Sequence, residues 1–439
     1  MDTIAAIATA SGKGGVAIIR ISGDGAHQCL SKVFKKQNME MRKMYYGGVY
    51  DGDVLLDKCL CVKFDAGASF TGEETAEIQC HGGYASARDI LEAVLKNGAR
   101  MAESGEFSKR AFMNGKIDLS QAEAVGDIIE AETKSASRAA ARLLSGSLGE
   151  MISSFQDVIK ELLTAIEAGI DYPDEIDEQE TTESIISKVQ QMLPQIDKLI
   201  EGYSRGRITK EGLKVCIIGK PNAGKSSLLN ALCGSDRAIV TSIAGTTRDT
   251  LHEILDFSGI KVHLFDTAGI RESDDVIERA GVERSQLTLK DSDVVLCVTD
   301  SSEEDDFSWI NKEDVLDKQG VFVFNKSDLN LAEEKPLPFS WERINVSTKT
   351  GEGIDKVSEF IASQARANDA SDALTITSQR HFDALVKAKG HLENCLSLMP
   401  PDILSIDLTS AWTVLGEITG QTVTEDIVNN IFEKFCVGK

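Results

Sequence analysis

The sequence predicts a multidomain protein that combines an α+β domain, an all-α domain and an α/β domain. Its 439 residues correspond to about three domains at roughly 150 residues each. The apolar pattern becomes helical near residue 118, and a short apolar run ending in a glycine loop follows residue 213. Helical periodicity then returns after residue 367. We therefore predict that an α/β domain is inserted into a split helical domain, with boundaries at 1–117, 118–209, 210–367 and 368–439.

The composition excludes several classes of protein. The chain has 47 Lys+Arg and 70 Asp+Glu, a net charge of −23, which argues against broad electrostatic binding of nucleic acid or an anionic membrane but leaves room for a local basic groove. No apolar run approaches the roughly 18 residues of a membrane helix, and the first residues lack signal-peptide features. Nine cysteines without a CxxC pair indicate neither a disulfide framework nor a zinc site. We expect a cytoplasmic protein with no membrane association.

The first 117 residues show strand patterns between glycine-rich turns. Residues 16–21 form a short apolar run, and residues 54–64 alternate in polarity as a strand does. This segment is predicted to be the α+β domain.

The helical segments are indicated by stripes of apolar residues at intervals of one, three and four. One stripe consists of Met151, Ile152, Phe155, Val158, Ile159, Leu162, Leu163 and Ile166. Residues 171–175 should break the helical pattern at Pro173, and Pro194 should kink a helix or open a new one. The last stripe comprises Ile427, Val428, Ile431, Phe432 and Phe435, and Thr422 and Glu425 before it have the spacing of a capping box.

The inserted domain is predicted to contain a parallel sheet. Residues 215–218 form an all-apolar run, as expected of a strand buried on both faces. Similar runs occur at 261–265, 294–298, 321–324 and 343–346, with connections long enough for crossover helices.

A phosphate-binding loop follows the first of these strands. Residues 219–226 fit the pattern G-x-x-x-x-G-K-[ST] between a strand and an apolar helix. The backbone N–H groups of such a loop turn toward phosphates, Lys225 would reach the β and γ oxygens, and Ser226 would bind Mg²⁺. The predicted nucleotide contacts here are Asn222, Ala223, Gly224, Lys225, Ser226 and Ser227. A chance glycine-rich turn is the alternative.

Three further segments point to guanine nucleotides. Asp266, followed by Thr267, Ala268 and Gly269, ends a strand and would hold Mg²⁺ through water, while the glycine N–H would face a γ-phosphate. Asp328 would accept two hydrogen bonds from the guanine edge, which adenine does not offer. Asn325 and Lys326 would brace the base, and residues Ser347, Thr348 and Lys349 would present a backbone N–H to the guanine oxygen. GTP or GDP is the predicted ligand.

Residues 241–249, Thr-Ser-Ile-Ala-Gly-Thr-Thr-Arg-Asp, resemble the switch I loop of the MnmE (TrmE) family of tRNA-modification GTPases, within the translation-factor branch of P-loop GTPases. The resemblance implies a Ras-like G domain and a second Mg²⁺ ligand in Thr247. It also implies a K⁺ ion bound by Asn222, Thr241, Ile243 and Thr246 when two G domains meet. Nucleotide contacts are implied for Thr241, Ser242, Ile243, Ala244, Gly245, Thr246 and Thr247.

The resemblance also assigns the residue that orients the attacking water. Ile270 stands where Ras-like enzymes carry a glutamine, so hydrolysis by that route should be absent. The family uses a glutamate downstream of switch II, and the matching residue is Glu278. Without the resemblance, Glu278 would be a solvated charge on a helix.

Both ends of the chain carry further resemblance to the same family. The segments around Arg20, Glu77 and Lys116 are similar to its N-terminal domain, which binds a tetrahydrofolate and forms a homodimer. The resemblance makes these residues and Lys439 the folate contacts. Cys436 matches the cysteine of the family's C-x-G-K motif and would be either a nucleophile toward C6 of a uridine or a residue that orders the site. Cys80 and His81 are too few for a metal site.

The family's activity is the expected function. The resemblance implies a K⁺-activated GTPase that forms a heterotetramer with the FAD-containing MnmG protein. Together they would add an aminomethyl or carboxymethylaminomethyl group at C5 of the wobble uridine of certain tRNAs, using a 5,10-methylene-tetrahydrofolate carbon. GTP hydrolysis would drive opening and closing of the G domains.

Three alternatives remain at this point. They are a ribosome-assembly GTPase, a one-carbon enzyme with a merely regulatory G domain, and a structural protein with a degenerate G domain. Two basic clusters are either tRNA contacts or solvated charges: Lys109 with Arg110, and Arg205 with Arg207 and Lys210.

Overall fold

The computed structural model describes residues 2–10, 12–36, 38–172, 174, 177–234, 252–257, 259–266, 288–304, 307–329, 337–369 and 374–438. The chain forms two compact units. The first contains Met1–Ile129, Arg142–Gln195 and Asp383–Lys439, and the second contains Glu130–Ala141 and Ile196–Phe382. The predicted fold class, with α+β, all-α and α/β parts, is confirmed. The bounds of the four predicted segments remain a prediction.

The described strands form two six-stranded sheets. They are β1 (Ile4–Ile7), β2 (Val16–Ser22), β3 (Tyr45–Asp51), β4 (Val54–Phe64), β5 (Thr75–His81), β6 (Arg100–Met101), β7 (Leu213–Ile218), β8 (His252–Phe257), β9 (Ile260–Asp266), β10 (Val294–Asp300), β11 (Gln319–Asn325) and β12 (Glu342–Asn345).

The described α-helices are numbered in the same way. They are α1 (Ala26–Val33), α2 (Tyr84–Lys96), α3 (Glu106–Met113), α4 (Leu119–Glu130), α5 (Lys134–Leu144), α6 (Ser147–Asp171), α7 (Glu178–Glu211), α8 (Lys225–Cys233), α9 (Ile354–Ala367), α10 (Gln379–Asn394), α11 (Pro401–Thr419) and α12 (Glu425–Phe432). Within the described ranges, no helix is long and apolar enough to span a membrane.

The first sheet has the strand order β3-β4-β5-β2-β1-β6 and is antiparallel except for the pair of β1 and β6. Helices α1 and α2 pack against one face, where Ile19, Ile21 and Ile78 are fully buried. Successive side chains of a strand point to opposite faces, so Arg20 and Glu77 lie on the other face. We call this second face the open face.

The two parts of the predicted split helical domain meet in the first unit. Helix α6 packs against α11, and Gln156 Nε2 donates a hydrogen bond to the Trp412 carbonyl oxygen at 3.1 Å. Helix α6 ends at Asp171, where the sequence predicts a break. The prediction that a new helix begins at Pro194 is wrong, because Pro194 lies within α7.

The predicted capping box before the last helix is also wrong. Thr424 is the residue that precedes α12, and no side chain caps it. The hydroxyl of Thr422 instead donates to the Thr413 carbonyl oxygen at 2.6 Å, so it is already used to hold the connection from α11.

The second sheet has the order β12-β11-β10-β7-β9-β8. All its neighbouring pairs are parallel except β8 with β9. The five predicted strands are present, and sequence patterns missed only the edge strand β8 among the described strands of this sheet. The carboxyl ends of β7, β9, β10 and β11 meet at one edge, which is where open α/β sheets bind ligands.

Candidate functional site

The phosphate-binding loop joins β7 to α8 in a conformation that depends on Gly224. This glycine precedes α8 with φ +94°, and a Cβ built on it would lie 2.0 Å from Asn325 Nδ2. Asn222 also has a positive φ of 63°. The backbone of the loop therefore turns sharply before the helix, as a phosphate-binding loop requires. Residues 222–227 form this loop and the first turn of α8.

The lysine of the predicted phosphate-binding motif turns back toward the loop. Lys225 is buried, and its Nζ donates to the carbonyl oxygens of Gly219 and Lys220, both at 2.8 Å. Ser226 Oγ donates to Asp266 Oδ2 at 2.6 Å. The hydroxyl and the carboxylate predicted to serve Mg²⁺ are therefore adjacent, and two such oxygens suit that ion.

The predicted guanine-binding residues are connected to the phosphate loop. Asn325 is 1% exposed, and its Nδ2 donates to the Ala223 carbonyl oxygen at 3.0 Å. Its Oδ1 accepts from the Thr348 backbone N–H at 3.1 Å. One amide thus fixes two loops at the sheet edge. Lys326, next in the chain, has φ 62° and forms an ion pair with Asp300.

Asp328, the predicted base-recognising carboxylate, lies beside Ser347 and Lys349. Ser347 Oγ donates to Asp328 Oδ1 at 2.7 Å, and Lys349 Nζ lies 4.0 Å from Oδ2. The hydrogen bond from Ser347 lowers the pKa of the Asp328 carboxyl, so this group is an acceptor at neutral pH. The structure brings Asn325, Asp328 and Ser347 together as the sequence predicts.

A second candidate site lies on the open face of the first sheet. Arg20 and Glu77 are directly opposed on β2 and β5, and Arg20 Nε donates to Glu77 Oε1 at 3.0 Å. The Arg20 guanidinium carbon lies 5.8 Å from the ring centroids of both Phe70 and Phe107. Phe107 belongs to α3, and Phe70 to the loop between β4 and β5.

Lys116 is tied to that same loop. Its Nζ donates to the Gly67 carbonyl oxygen at 3.0 Å, and Asn114 Nδ2 donates to the Thr71 carbonyl oxygen at 2.8 Å. The segment after α3 thus holds the loop that carries Phe70. Of the four predicted folate residues, Arg20 and Glu77 lie on the open face, and Lys116 contacts this loop.

The segment bearing Cys436 reaches the start of α3. The Gly105 backbone N–H donates to the Cys436 carbonyl oxygen at 3.4 Å, and Ser104 forms an antiparallel bridge with Val437. A Cβ on Gly438 would lie 2.3 Å from the Ile7 carbonyl oxygen, which shows how closely the tail follows β1. Cys436 is exposed.

Several predicted site residues lie outside the described residues. These are Thr241, Ser242, Ile243, Ala244, Gly245, Thr246, Thr247, Thr267, Ala268, Gly269, Glu278 and Lys439. Their roles remain predictions.

Comparison with known proteins identifies the family. Residues 3–116 match the model described as "GTP-binding protein TrmE N-terminus", and residues 119–436 match "MnmE helical domain". A protein of Clostridioides difficile (strain 630) named tRNA modification GTPase MnmE is 42% identical over 100% of this chain and 99% of its own. The chain belongs to the MnmE family. Membership confirms the predicted family and the prediction that the chain is a GTPase.

Two further matches are a curated relative and a solved structure. A Thermoanaerobacter sp. (strain X514) protein with the same name, tRNA modification GTPase MnmE, is 43% identical over 100% of this chain and 99% of its own. Among solved structures, the G domain of the T. maritima FeoB iron transporter is 24% identical over 35% of this chain and 98% of that chain, with a TM-score of 0.26.

A buried ion network in this MnmE-family chain was missed by sequence analysis. Arg110 is 6% exposed, and it contacts Glu73 at 3.1 Å, Glu106 at 2.9 Å and Asp2 at 2.6 Å. Arg100 also pairs with Asp2 and Glu106, both at 2.6 Å. The proposal that Arg110 belongs to a tRNA-contacting or solvated cluster is therefore wrong, because the cation is enclosed by carboxylates.

This network fixes the loop of the candidate folate site to α3. Glu73 lies three residues after Phe70 and accepts from Ser22 Oγ at 2.7 Å. Burial opposes ionisation of Glu106, yet hydrogen bonds from Arg100, the Glu103 backbone N–H and Arg110 outweigh burial and lower the pKa of Glu106 to about 2. The carboxylate of Glu106 is thus held charged mainly by the two arginines. The spacing of Glu106 and Arg110, four residues apart on a helix, is a sequence signal for their pairing.

Two remaining predictions concern other polar residues. Arg207 pairs with Asp293 and Glu211, so this member of the second basic cluster is neutralised by carboxylates. His81 is exposed and hydrogen bonds Asp57 through Nδ1 at 2.8 Å, while Cys80 is buried. Across the described residues, no group of three or more His, Cys, Asp or Glu side chains is placed to hold a metal.

Proposed function

We propose that this protein is a K⁺-activated GTPase that acts in tRNA modification. With the FAD-containing MnmG protein it adds an aminomethyl or carboxymethylaminomethyl group at C5 of the wobble uridine, with a carbon from 5,10-methylene-tetrahydrofolate. The observation that carries the proposal is the similarity to proteins named tRNA modification GTPase MnmE, which covers 100% of this chain. The similarity therefore includes the open face and the Cys436 segment as well as the G domain.

The described residues support the nucleotide part of this proposal. Lys225 Nζ donates hydrogen bonds to two carbonyl oxygens of the loop. The oxygens of a bound β- or γ-phosphate would take their place as acceptors. Ser226 and Asp266 would hold Mg²⁺, directly and through water. Bound Mg²⁺ supplies positive charge at the β and γ oxygens. Asp328 would select guanine, since its carboxylate can accept both N–H groups of that edge.

A K⁺ ion would add positive charge beside the phosphates. Asn222 lies at the tip of the phosphate loop, exposed and with a positive φ, so its side chain is available to a cation between two G domains. Thr241, Ile243 and Thr246 would supply the other oxygens, Thr247 the second Mg²⁺ oxygen, and Glu278 would orient the attacking water.

The open face fits a folate in its chemistry. Glu77 offers a carboxylate to the paired N–H groups of a pterin, and Arg20 and Lys116 offer cations to a carboxylate tail. The exposed ring of Phe70 beside Arg20 offers a flat apolar surface. A bound methylene-tetrahydrofolate supplies the one-carbon unit. Lys439 would contribute a further cation.

Cys436 would act beside this face. The tail that carries it is bonded to Gly105, and Phe107, two residues later in α3, contacts Arg20. This proximity supports a thiol role in the modification, as a nucleophile or as an ordering group. We further propose that the N-terminal domain forms the homodimer, that MnmG completes a heterotetramer, and that the complex is cytoplasmic.

The decisive experiment is mass spectrometry of wobble nucleosides from cells that lack this protein. Rescue with the wild-type chain should restore the C5-substituted uridines, whereas Lys225→Ala should not, because it removes the phosphate-loop cation. Unchanged nucleosides in the deletion strain would contradict the proposal. Rescue by Lys225→Ala would favour a one-carbon enzyme with a merely regulatory G domain.

Potassium dependence is tested separately. We expect GTP turnover by the full chain to be much faster in K⁺ than in Na⁺ at matched ionic strength, and Asn222→Ala to remove that difference. Equal wild-type turnover in the two salts would contradict the K⁺ assignment without affecting the tRNA assignment.

A further inference from the structure

The first unit carries a positively charged surface, although the chain as a whole is negatively charged. Residues 32–45 contain five cations and one carboxylate, Glu40, a net charge of +4, whereas the whole chain carries −23. All five cations are exposed. We call them the basic patch: Lys32, Lys35, Lys36, Arg42 and Lys43.

The patch is organised by aromatic rings. Lys36 Nζ lies 4.8 Å and Lys43 Nζ 5.9 Å from the ring centroid of Tyr45, so one ring gathers two ammonium groups. Lys35 Nζ lies 4.8 Å from the centroid of Tyr50. Such contacts hold lysine stems along the rings and leave their charged heads in water. Part of the entropic cost of ordering these side chains is therefore met before a ligand binds.

The base of the patch is rigidly attached to the sheet. Phe34 is 1% exposed and forms a bridge with Val49 of β3. The Arg42 backbone N–H donates to the Lys63 carbonyl oxygen at 2.7 Å, and the Glu40 backbone N–H donates to the Tyr45 hydroxyl at 3.1 Å. Phe34 and residues 40–42, which flank or carry these cations, are thus held beside an edge strand.

Internal carboxylates neutralise only part of this charge. Lys35 pairs with Asp53 at 3.2 Å and Lys43 with Glu40 at 2.9 Å. Lys32 Nζ donates to the Asn97 carbonyl oxygen, which is uncharged. Counting the two paired carboxylates, the patch keeps a net charge of +3, which suits a polyanion.

The patch leads onto the open face. Tyr46, next to Tyr45 on β3, is 63% exposed and is opposed by Leu60 of β4, which is opposed by Gln79 of β5. Gln79 lies on the same face as Glu77, because side chains two apart in a strand share a face. Tyr46 is therefore an exposed ring on the face that carries the Arg20 and Glu77 pair, while Tyr45 beside it holds two patch lysines at the same edge strand. Cations and an exposed ring at one sheet edge are the combination of charge and stacking that binds unpaired bases.

We propose that the basic patch binds the phosphate backbone of the substrate tRNA near its anticodon loop, with Tyr46 as a stacking surface for an unpaired base. This inference rests on the proposed function for the identity of the RNA. It places the RNA at the β3 edge of the sheet, where positive charge is in local excess although the whole chain carries −23. Backbone contacts there position the RNA and carry no sequence preference.

The test compares two triple variants of the full chain. Lys32→Ala/Lys36→Ala/Arg42→Ala removes three patch cations, and Lys312→Ala/Lys356→Ala/Lys387→Ala removes the same charge at exposed sites elsewhere. Binding of unmodified substrate tRNA is measured by fluorescence anisotropy at several KCl concentrations. The patch variant should bind at least about tenfold more weakly, and its slope of log affinity against log salt should fall by about 2 to 3. The control should stay within about twofold of wild type.

A second readout separates positioning of the RNA from a folding defect. The patch variant should keep wild-type GTP turnover, and in the modification reaction its KM for tRNA should rise with little change in kcat. Tyr46→Ala should weaken tRNA binding with an unchanged salt slope, because it removes stacking and no charge.

The outcomes distinguish this inference from the proposed function. Equal tRNA affinity of the two triple variants, with wild-type modification intact, would overturn the inference alone. Loss of binding to anionic phosphatidylserine vesicles by the patch variant, with tRNA affinity retained, would assign the patch to a membrane and also overturn it. A wild-type chain that neither binds tRNA nor restores modified nucleosides would overturn both.

Discussion

Asn325 Nδ2 lies 3.0 Å from the carbonyl oxygen of Ala223, so the strand end that precedes the guanine-recognising residues is bonded directly to the phosphate loop. The same side chain accepts from the Thr348 N–H, which joins the third nucleotide-binding segment. Because Asn325 is buried, each of these bonds lies in an environment where a broken bond leaves an unsatisfied polar group. One buried amide therefore joins the phosphate loop to the two segments that are predicted to bind the base.

Gly224→Ala should greatly weaken GTP binding. The added Cβ would lie 2.0 Å from Asn325 Nδ2, and the φ of +94° is unfavourable for alanine. We expect the Kd for GTP, measured with a fluorescent analogue, to rise at least about 100-fold. Gly351→Ala is the matched control, since its φ of +84° is similar but its Cβ would meet nothing within 4 Å. Equal Kd values for the two variants would contradict this account of the loop.

Arg110→Met should destabilise the first unit. It would leave Glu73, Glu106 and Asp2 with far less compensation, and breaking a buried pair in this way costs about 3 to 5 kcal/mol. Arg88→Met is the control, because Arg88 and Glu92 form an exposed pair at 3.0 Å, and exposed pairs contribute little to stability. Urea unfolding of the full chain measures both. If Arg110→Met lowers the free energy of unfolding no more than Arg88→Met does, the network contributes little to stability.

The same network should make the first unit sensitive to acid. The pKa of Glu106 is lowered to about 2, so its stabilising contribution is fully present above the ordinary glutamate pKa and is lost as the pH falls through about 2. The free energy of unfolding should fall from pH 5 toward pH 2, and it should fall less steeply in Glu106→Gln. Parallel curves for the two proteins would mean that other groups control the acid response.

Gly105→Ala should disable modification while leaving GTP turnover intact. Gly105 has φ +65°, and a Cβ would lie 2.5 Å from the Phe432 carbonyl oxygen, which forces the tail with Cys436 away from α3. Gly115→Ala provides the comparison, with φ +67° and no atom within 4 Å of its Cβ. Wobble-nucleoside analysis should show loss with Gly105→Ala and retention with Gly115→Ala. Full modification by Gly105→Ala would exclude a need for this contact.

The G domain was the most predictable part of the fold. Polar motifs are predicted at strand ends in two places: the glycine loop after the run at 215–218, and the Asn325 segment. Parallel strands bring such ends to one edge of the sheet. Strand β8 was missed because it pairs antiparallel at the sheet edge, without the long apolar run of a buried strand. The sequence patterns also predict Lys225, Asp266 and Asp328 near these strand ends, and the structure places them there.

The second site was much less predictable from residues. Arg20 and Glu77 are far apart in the chain, and only the pairing of β2 with β5 makes them neighbours. Arg110 reads as a surface charge because its partners Asp2 and Glu73 come from distant segments. The capping box failed because the Thr422 hydroxyl had a competing acceptor in Thr413. Long-range pairing of polar groups carries no periodicity that a sequence pattern could reveal.

Because Ser104 forms a β-bridge with Val437, this part of the first unit can be completed only at the end of synthesis on the ribosome. The two residues are separated by most of the chain, including every strand of the second sheet. During synthesis every strand of the second sheet emerges before the segment that pairs with Ser104. A ribosome that stops short of Val437 would therefore release a chain that contains the whole second sheet but lacks this bridge. Premature termination would thus separate the nucleotide-binding part of the chain from the Cys436 segment.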